Sequence, residues 1–404
     1  MKALLALMTL VSVARADFML KDGDTIGFLG DSITATRGYS KLVEHYTLLR
    51  FPDRKVRFFN AGEGGDTAQK CLSRLDRDLF AQNPTIVTVA FGINDIGWGT
   101  KADAEHKQAY LDGIREIIRR CREKGVRPVI CSPAITAEDP DTAEKGYLQT
   151  MTDEGLALAK SLGAETIDLQ RGMREIQRRV LETNRGRKPE EHQHLHVKDG
   201  VHLNDFGELA MGYALLKGLG APAEISAVEI DAATGEASTV GCRASELEVT
   251  GDGVAFTRLD EGLPLNLGSL WQLQHGWIPF PDGLNGYRLT VKNLPAGEYE
   301  LTAGGRGLGK SDAAQLAKGI NLSSMTSNGW EPGGPWHVQS WVVKQLVETR
   351  DDLWEAGAQV GRFDLKEPAA LGDSLRAEGD AIVALQRLAA KPQPYRIELR
   401  QVEH

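Results

Sequence analysis

The chain has 404 residues, 41% apolar and 25% charged, with a formal net charge of −9. That length exceeds one ordinary core and predicts two domains. Acidic and basic residues are mixed along the chain, which argues against a nucleic-acid binder, since such a protein carries a basic face.

Met1-Lys2 opens the chain, followed by an apolar stretch from Ala3 to Val13 and then Ala14-Arg15-Ala16. A basic start, a short apolar core and an A-x-A ending predict a secretory signal peptide over residues 1–16, cut after Ala16. The stretch is too short to span a bilayer, and no other segment is apolar enough to be a transmembrane span. The mature protein is expected to be exported, to the periplasm or outside the cell. Export permits disulfides, but Cys71, Cys121, Cys131 and Cys242 show no CxxC or metal spacing. Buried free thiols are the expectation.

Short apolar runs follow at Thr25–Leu29, Val56–Phe59, Ile86–Ala90, Pro128–Cys131 and Thr166–Leu169, each predicting a strand. Between and after them, helical patterns cover Tyr39–Arg50, Thr67–Leu79, Asp103–Lys124, Lys145–Leu162, Gly172–Leu181 and Asn204–Leu216. Strand alternating with helix predicts an α/β domain with a parallel sheet covered on both faces, here over residues 17–220.

The chemistry lies in the turns. The first strand ends in Gly30-Asp31-Ser32, which puts one serine hydroxyl at the carboxyl edge of the sheet, where open α/β sheets bind ligands. A neutral hydroxyl is a weak nucleophile and needs a base beside it. After the second strand comes Asn60-Ala61-Gly62-Glu63-Gly64-Gly65-Asp66-Thr67, whose glycines let backbone N–H groups approach a ligand. After the third comes Gly92-Ile93-Asn94-Asp95, where an asparagine amide can donate to the same point. Much later comes Asp199-Gly200-Val201-His202, in which the carboxylate can fix the histidine tautomer and leave its other nitrogen for the serine. Singly, each has an ordinary reading: a capping serine, a tight turn, a helix cap, a satisfied histidine. Their order, one after each strand end and the last before the final helix, is what carries the signal.

Together these four blocks resemble those of the GDSL/SGNH hydrolases, over about Asp24 to Leu216. The resemblance implies a flavodoxin-like three-layer α/β/α fold and ester or thioester substrates; no cofactor and no metal are expected. It implies Ser32 as nucleophile, His202 as base and Asp199 as the group that orients it. The Ser32 N–H, the Gly65 N–H and the Asn94 side-chain amide would form the oxyanion hole, with Asp31 in support. No G-x-S-x-G elbow of the α/β-hydrolase kind is present.

Residues 182–197 read as a charged loop carrying His192, His194 and His196, a wall of the cleft rather than a metal site. Residues 221–404 are expected to form a smaller α+β accessory region with a β-rich start. Within it Tyr287–Lys292 and Glu298–Ala303 alternate and predict a hairpin. Helices are expected at Asp312–Lys318, Val338–Glu355 and Asp373–Ala390, and a last strand at Tyr395–Val402. Six of seven tryptophans lie beyond residue 270; most read as core anchors, with Trp277 and Trp330 the candidates to reach the cleft. Two motifs are set aside. Gly304–Ser311 matches a phosphate loop literally but follows an alternating strand, and Gly372-Asp373-Ser374-Leu375 opens a helix with no strand before it.

The leading expectation is an exported serine esterase that removes short, acetyl-like groups from a small-molecule or polysaccharide ester. Within the same class stands a lysophospholipase or thioesterase for longer chains. The competing class is a carbohydrate-binding protein on a hydrolase scaffold, against which the full set Ser32, Gly65, Asn94, Asp199 and His202 argues.

Overall fold

The computed structural model describes residues 18–268, 271–360 and 368–402. The signal-peptide expectation over residues 1–16 lies outside them. The apolar runs of the first half become β1 (Thr25–Gly30), β2 (Arg57–Gly62), β3 (Ile86–Ala90), β4 (Arg127–Cys131) and β5 (Glu165–Ile167). All pair in parallel, in the order β2-β1-β3-β4-β5. Every residue of β1 and β3 is buried, which is why these strands carry unbroken apolar runs.

The helices of this half are α1 (Ser32–Ala35), α2 (Gly38–Arg50), α3 (Ala104–Glu123), α4 (Pro140–Ala143), α5 (Tyr147–Ser161), α6 (Leu169–Asn184) and α7 (Asp205–Gly218). Five of them start on side-chain caps: Asp103, Asp139, Asp168 and Asn204 each accept from the N–H three residues on, and Asp31 from the N–H two on. One face of the sheet, with Leu29, Val87, Val89 and Ile130, packs on Ile114, Ile118 and Met151 of α3 and α5. The other, with Ile26, Phe28 and Val129, packs on Leu42, Val43, Val180 and Leu215 of α2, α6 and α7. The result is the expected three-layer arrangement. Strand order reverses between β1 and β3, so their carboxyl ends flank the crevice where such sheets bind ligands.

One expected helix is absent. Thr67–Leu79 folds instead as a 3-10 turn (Lys70–Ser73) followed by a π turn (Leu75–Leu79). Arg74 sits between them at φ −116° and ψ −3°. Its guanidinium is buried and donates to Asp66, to the Ala61 carbonyl at 2.8 Å and to the Gly30 carbonyl at 3.3 Å. Tying one side chain to two strand ends draws the segment out of a regular helix. The loop expected over residues 182–197 is also shorter, because α6 runs on to Asn184 and Pro189–Glu191 form a 3-10 turn.

The second half contains β6 (Glu224–Asp231), β7 (Glu236–Val240), β8 (Cys242–Thr250), β9 (Gly253–Asp260), α8 (Phe280–Gly283), β10 (Gly286–Lys292), β11 (Glu298–Ala303) and β12 (Arg306–Asp312). It continues with α9 (Ala313–Lys318), β13 (Ile320–Asn321), α10 (Pro335–Val360), α11 (Pro368–Ala390) and β14 (Tyr395–Gln401). Two sheets form, β13-β10-β6-β7 and β12-β11-β14-β9-β8. The hairpin expected from β10 and β11 does not exist. β10 lies parallel to β6, while β11 pairs with β12 and β14. Their alternation is real, but the two apolar faces meet across sheets rather than along one: Tyr287 of β10 reaches Asp260 of β9 and Tyr395 of β14. Gly304–Ser311 covers the turn from β11 and most of β12, an antiparallel hairpin and no phosphate loop. Gly372–Leu375 lies one turn inside α11 rather than opening it, with Ser374 Oγ donating to the Ala370 carbonyl at 3.0 Å.

The helical pair α10 and α11 packs on α2, behind the site. Arg350 of α10 donates through Nε to Glu44 of α2 at 2.9 Å, and Gln386 of α11 joins the same carboxylate at 3.0 Å. The apolar core on this side continues from α2 and α7 into Leu263, Trp336, Val343 and Val347. All four cysteines are buried and free. Among the described residues, no helix is long and apolar enough to cross a membrane.

Candidate active site

The strand that carries Ser32 fixes it closely. β1 ends at Gly30, where an added Cβ would meet Thr34 Oγ1 at 2.1 Å and the Ala90 carbonyl at 2.9 Å. Only glycine lets α1 fold back so tightly on the strand. Asp31 caps α1 by accepting from the Ile33 N–H at 3.0 Å. Ser32 is the first residue of α1, so its N–H is one of the first-turn amides without an acceptor inside the helix. Burial pushes the Asp31 carboxyl up to about 6, against the pull of the Ile33 N–H and of His202. Asn60 at the end of β2 holds the same turn, donating to the Thr34 carbonyl at 2.8 Å.

The histidine arrives from far along the chain. His202 Nε2 lies 2.8 Å from Ser32 Oγ, and His202 Nδ1 lies 2.6 Å from Asp199 Oδ2. Asp199 also accepts from the Val201 and His202 N–H groups at 2.8 and 2.9 Å. These partners, His202 first, hold its carboxyl down at about 2. With Asp199 ionised, Nδ1 carries the proton and Nε2 is left as the acceptor facing the serine.

Gly65 and Asn94 stand at one corner of the site. Gly65 has φ 71°, a left-handed turn that suits glycine. The next residue, Asp66, offers its carbonyl to Asn94 Nδ2 at 3.0 Å. One hydrogen of that amide remains for a ligand. Asp66 in turn accepts from Arg74 Nε at 2.7 Å, both side chains being buried. Asp95, beside Asn94, accepts from the Ala68 N–H at 3.0 Å, and burial raises its carboxyl to about 7. Next to this corner opens a polar groove of about 580 Å³, lined by Glu63, Gly64, Gly65, Asp66, Lys70 and Arg77 among others.

Several residues at the site had no signal in the sequence. Arg74 was an ordinary helix position, yet it braces the Gly65 turn. Glu208 of α7 accepts from Thr36 Oγ1 at 2.6 Å and from the Tyr39 N–H at 2.8 Å, joining the histidine segment to the serine segment. The indole at the site is Trp98, whose Nε1 lies 2.8 Å from Asn94 Oδ1. Trp277 instead packs edge-on against Phe206, and Trp330 stands 74% exposed in the accessory region. Of the three alternate histidines, His196 lies 2.9 Å from the Ile135 carbonyl, while His192 and His194 face each other at 6.4 Å between ring centroids.

Residues 28–209 match the model of the GDSL-like Lipase/Acylhydrolase family, and the chain carries a domain of that family. Among curated proteins it is 29% identical over 121 residues to the uncharacterized lipoprotein YqeF of Bacillus subtilis (strain 168), covering 28% of this chain and 49% of that protein. It is also 29% identical over 115 residues to an acetylxylan esterase of Geobacillus stearothermophilus, covering 24% of this chain and 52% of that protein. The chain spans about half the length of the curated relatives it matches. Among solved structures, a gut microbial diltiazem-metabolizing enzyme superposes with a TM-score of 0.81 over 96% of this chain and 100% of its own, at 24% identity. That likeness extends the shared fold through both halves of the molecule.

Proposed function

We propose that this protein is an exported serine esterase that removes short acyl groups, acetyl above all, from hydroxyl-rich carbohydrate esters. The observation that carries the reading is the continuous chain Ser32 Oγ, His202 and Asp199, at 2.8 and 2.6 Å, beside an amide with a hydrogen to spare. In the reaction His202 Nε2 takes the Ser32 proton as Oγ attacks the ester carbonyl. Negative charge gathers on the carbonyl oxygen and is met by the Ser32 N–H, the Gly65 N–H and Asn94 Nδ2. His202 then gives the proton to the leaving alcohol, and water reverses the sequence to free the acid. Asp199, held ionised, orients His202 throughout.

Two further observations support the substrate class. The groove beside Gly65 is lined by charged and polar side chains, which suits a sugar better than a long acyl chain. One relative is named an acetylxylan esterase. Export is supported by the N-terminal pattern and by a lipoprotein relative. Residues 17–220 carry the chemistry in this reading, and residues 221–404 act as an accessory region braced against α2.

The test is hydrolysis of p-nitrophenyl acetate and p-nitrophenyl octanoate by wild type and Ser32→Ala. Acetate turnover is expected to exceed octanoate turnover, and the substitution is expected to remove both by a factor on the order of 10⁴–10⁶. Faster octanoate turnover would move the substrate to lipid or thioester. Turnover that survives Ser32→Ala would end the serine mechanism.

A further inference from the structure

Trp98 lies four residues after Asn94, in Gly97-Trp98-Gly99. Its backbone is left-handed, φ 57° and ψ 34°, a conformation that a bulky side chain seldom adopts. The turn is fastened by the Trp98 N–H to the Ile93 carbonyl at 3.0 Å and the Gly97 N–H to the Asn94 carbonyl at 2.9 Å. Strain of this kind persists where neighbouring bonds over-determine it, and it collects at functional sites. Here it turns the indole back over the site. Nε1 reaches Asn94 Oδ1 at 2.8 Å, and the ring meets His202 edge-on at 5.5 Å between centroids. The residue is 49% exposed, so burial does not explain its place.

A primary amide can sit two ways round, with oxygen and NH₂ exchanged. At Asn94 its two neighbours are not equivalent. The indole N–H of Trp98 can only donate, and the Asp66 carbonyl can only accept. With Oδ1 on Trp98 and Nδ2 on Asp66, both bonds are made. Turned over, the amide would set donor against donor and acceptor against acceptor. Pinned at both ends, it also holds its remaining hydrogen in one direction, and that hydrogen is the one an oxyanion would receive.

We propose that Trp98 is a positioning residue for the oxyanion hole: its indole N–H holds the Asn94 amide the right way round and aims the free Nδ2 hydrogen. This rests on the serine-esterase reading above. Without the indole N–H, Asn94 keeps its bond to Asp66 but turns more freely about it. The donor is then present but less ordered, so less is lost than when the donor itself is removed.

Trp98→Phe keeps an aromatic ring at the position and removes the N–H together with part of the indole, so the Asn94→Ala background is needed to separate the bond from the packing. Its kcat is expected to fall about tenfold with KM within about twofold, against on the order of 10²–10³ for Asn94→Ala. The double variant is expected to match Asn94→Ala alone, because no amide is left to aim. Wild-type kcat in Trp98→Phe would overturn the proposal. So would a tenfold loss repeated in full on the Asn94→Ala background, which would mean that the ring acts by packing. A second readout does not depend on turnover. The Asn94 side-chain NH₂ signals in protein labelled with ¹⁵N-asparagine, assigned by their loss in Asn94→Ala, are expected to shift in Trp98→Phe. If wild type hydrolyses neither ester, the esterase reading falls, and these signals alone decide the contact: unmoved signals overturn it.

Discussion

The two sides of the site are built differently. Ser32 is held by long-range bonds inside the sheet: Asp31 is buried, Asn60 of β2 grips the turn, and Arg74 joins Asp66 to the ends of β1 and β2. Asp199 and His202 sit on a short turn at the surface, held mostly by their own N–H groups, with side chains 35% and 29% exposed. Buried Glu208 links α7 to the serine segment through Thr36 and the Tyr39 N–H. The nucleophile's geometry is therefore part of the fold's stability, while the base side is fixed mainly by its own turn, tied to the rest by the Ala137 N–H to the Gly200 carbonyl at 2.8 Å and the His196–Leu203 bridge.

The sharpest way to break this contrast is Asp199→Asn. It is expected to lower kcat by a factor on the order of 10²–10⁴, through loss of the correct histidine tautomer, with Tm almost unchanged. A large fall in Tm would show that the base side is structural after all. On the other side, Arg74→Met leaves Asp66 buried without its partner. Urea unfolding is expected to show a loss of roughly 3–5 kcal/mol, with weakened activity as the Gly65 turn loosens. Full stability there would mean that the serine side is not over-determined.

Asp95→Asn gives a smaller and pH-dependent effect. Burial raises the folded carboxyl from 3.8 to about 7, so the neutral form is the one the fold favours. That contribution is fully present below about pH 4 and is lost as pH rises to about 7. An asparagine cannot ionise. The stability of Asp95→Asn relative to wild type is therefore expected to rise between pH 4 and 7, by roughly 2–4 kcal/mol, in thermal melts across that range. A difference that stays flat with pH would mean that Asp95 ionises freely in the folded protein.

Much of this was legible because it is local. Unbroken apolar runs marked β1 and β3, and their ends marked where Ser32 and Asn94 would stand. The Asp199–His202 spacing is a turn that closes on itself. Legibility failed where a partner lies elsewhere. Alternation identified β10 and β11 as half-buried strands, but not that each buries its face against the opposite sheet. The pattern over Thr67–Leu79 suggested a helix because nothing nearby reveals that Arg74 must reach two strand ends.

From the amino-acid order alone come the parallel α/β class, the four chemical turns and the residue types they present. Backbone periodicity and turn chemistry act over a few residues and need no knowledge of neighbours. Three matters waited on the folded chain: that His202 comes within 2.8 Å of a serine 170 residues away, that Glu208 ties their two segments, and that a strained Trp98 faces the Asn94 amide. The first two are hydrogen bonds between side chains about 170 residues apart, whose meeting depends on which strands and turns lie side by side, and only the packed sheet sets that. The third is local but needs a left-handed backbone at Trp98, which residue type does not announce.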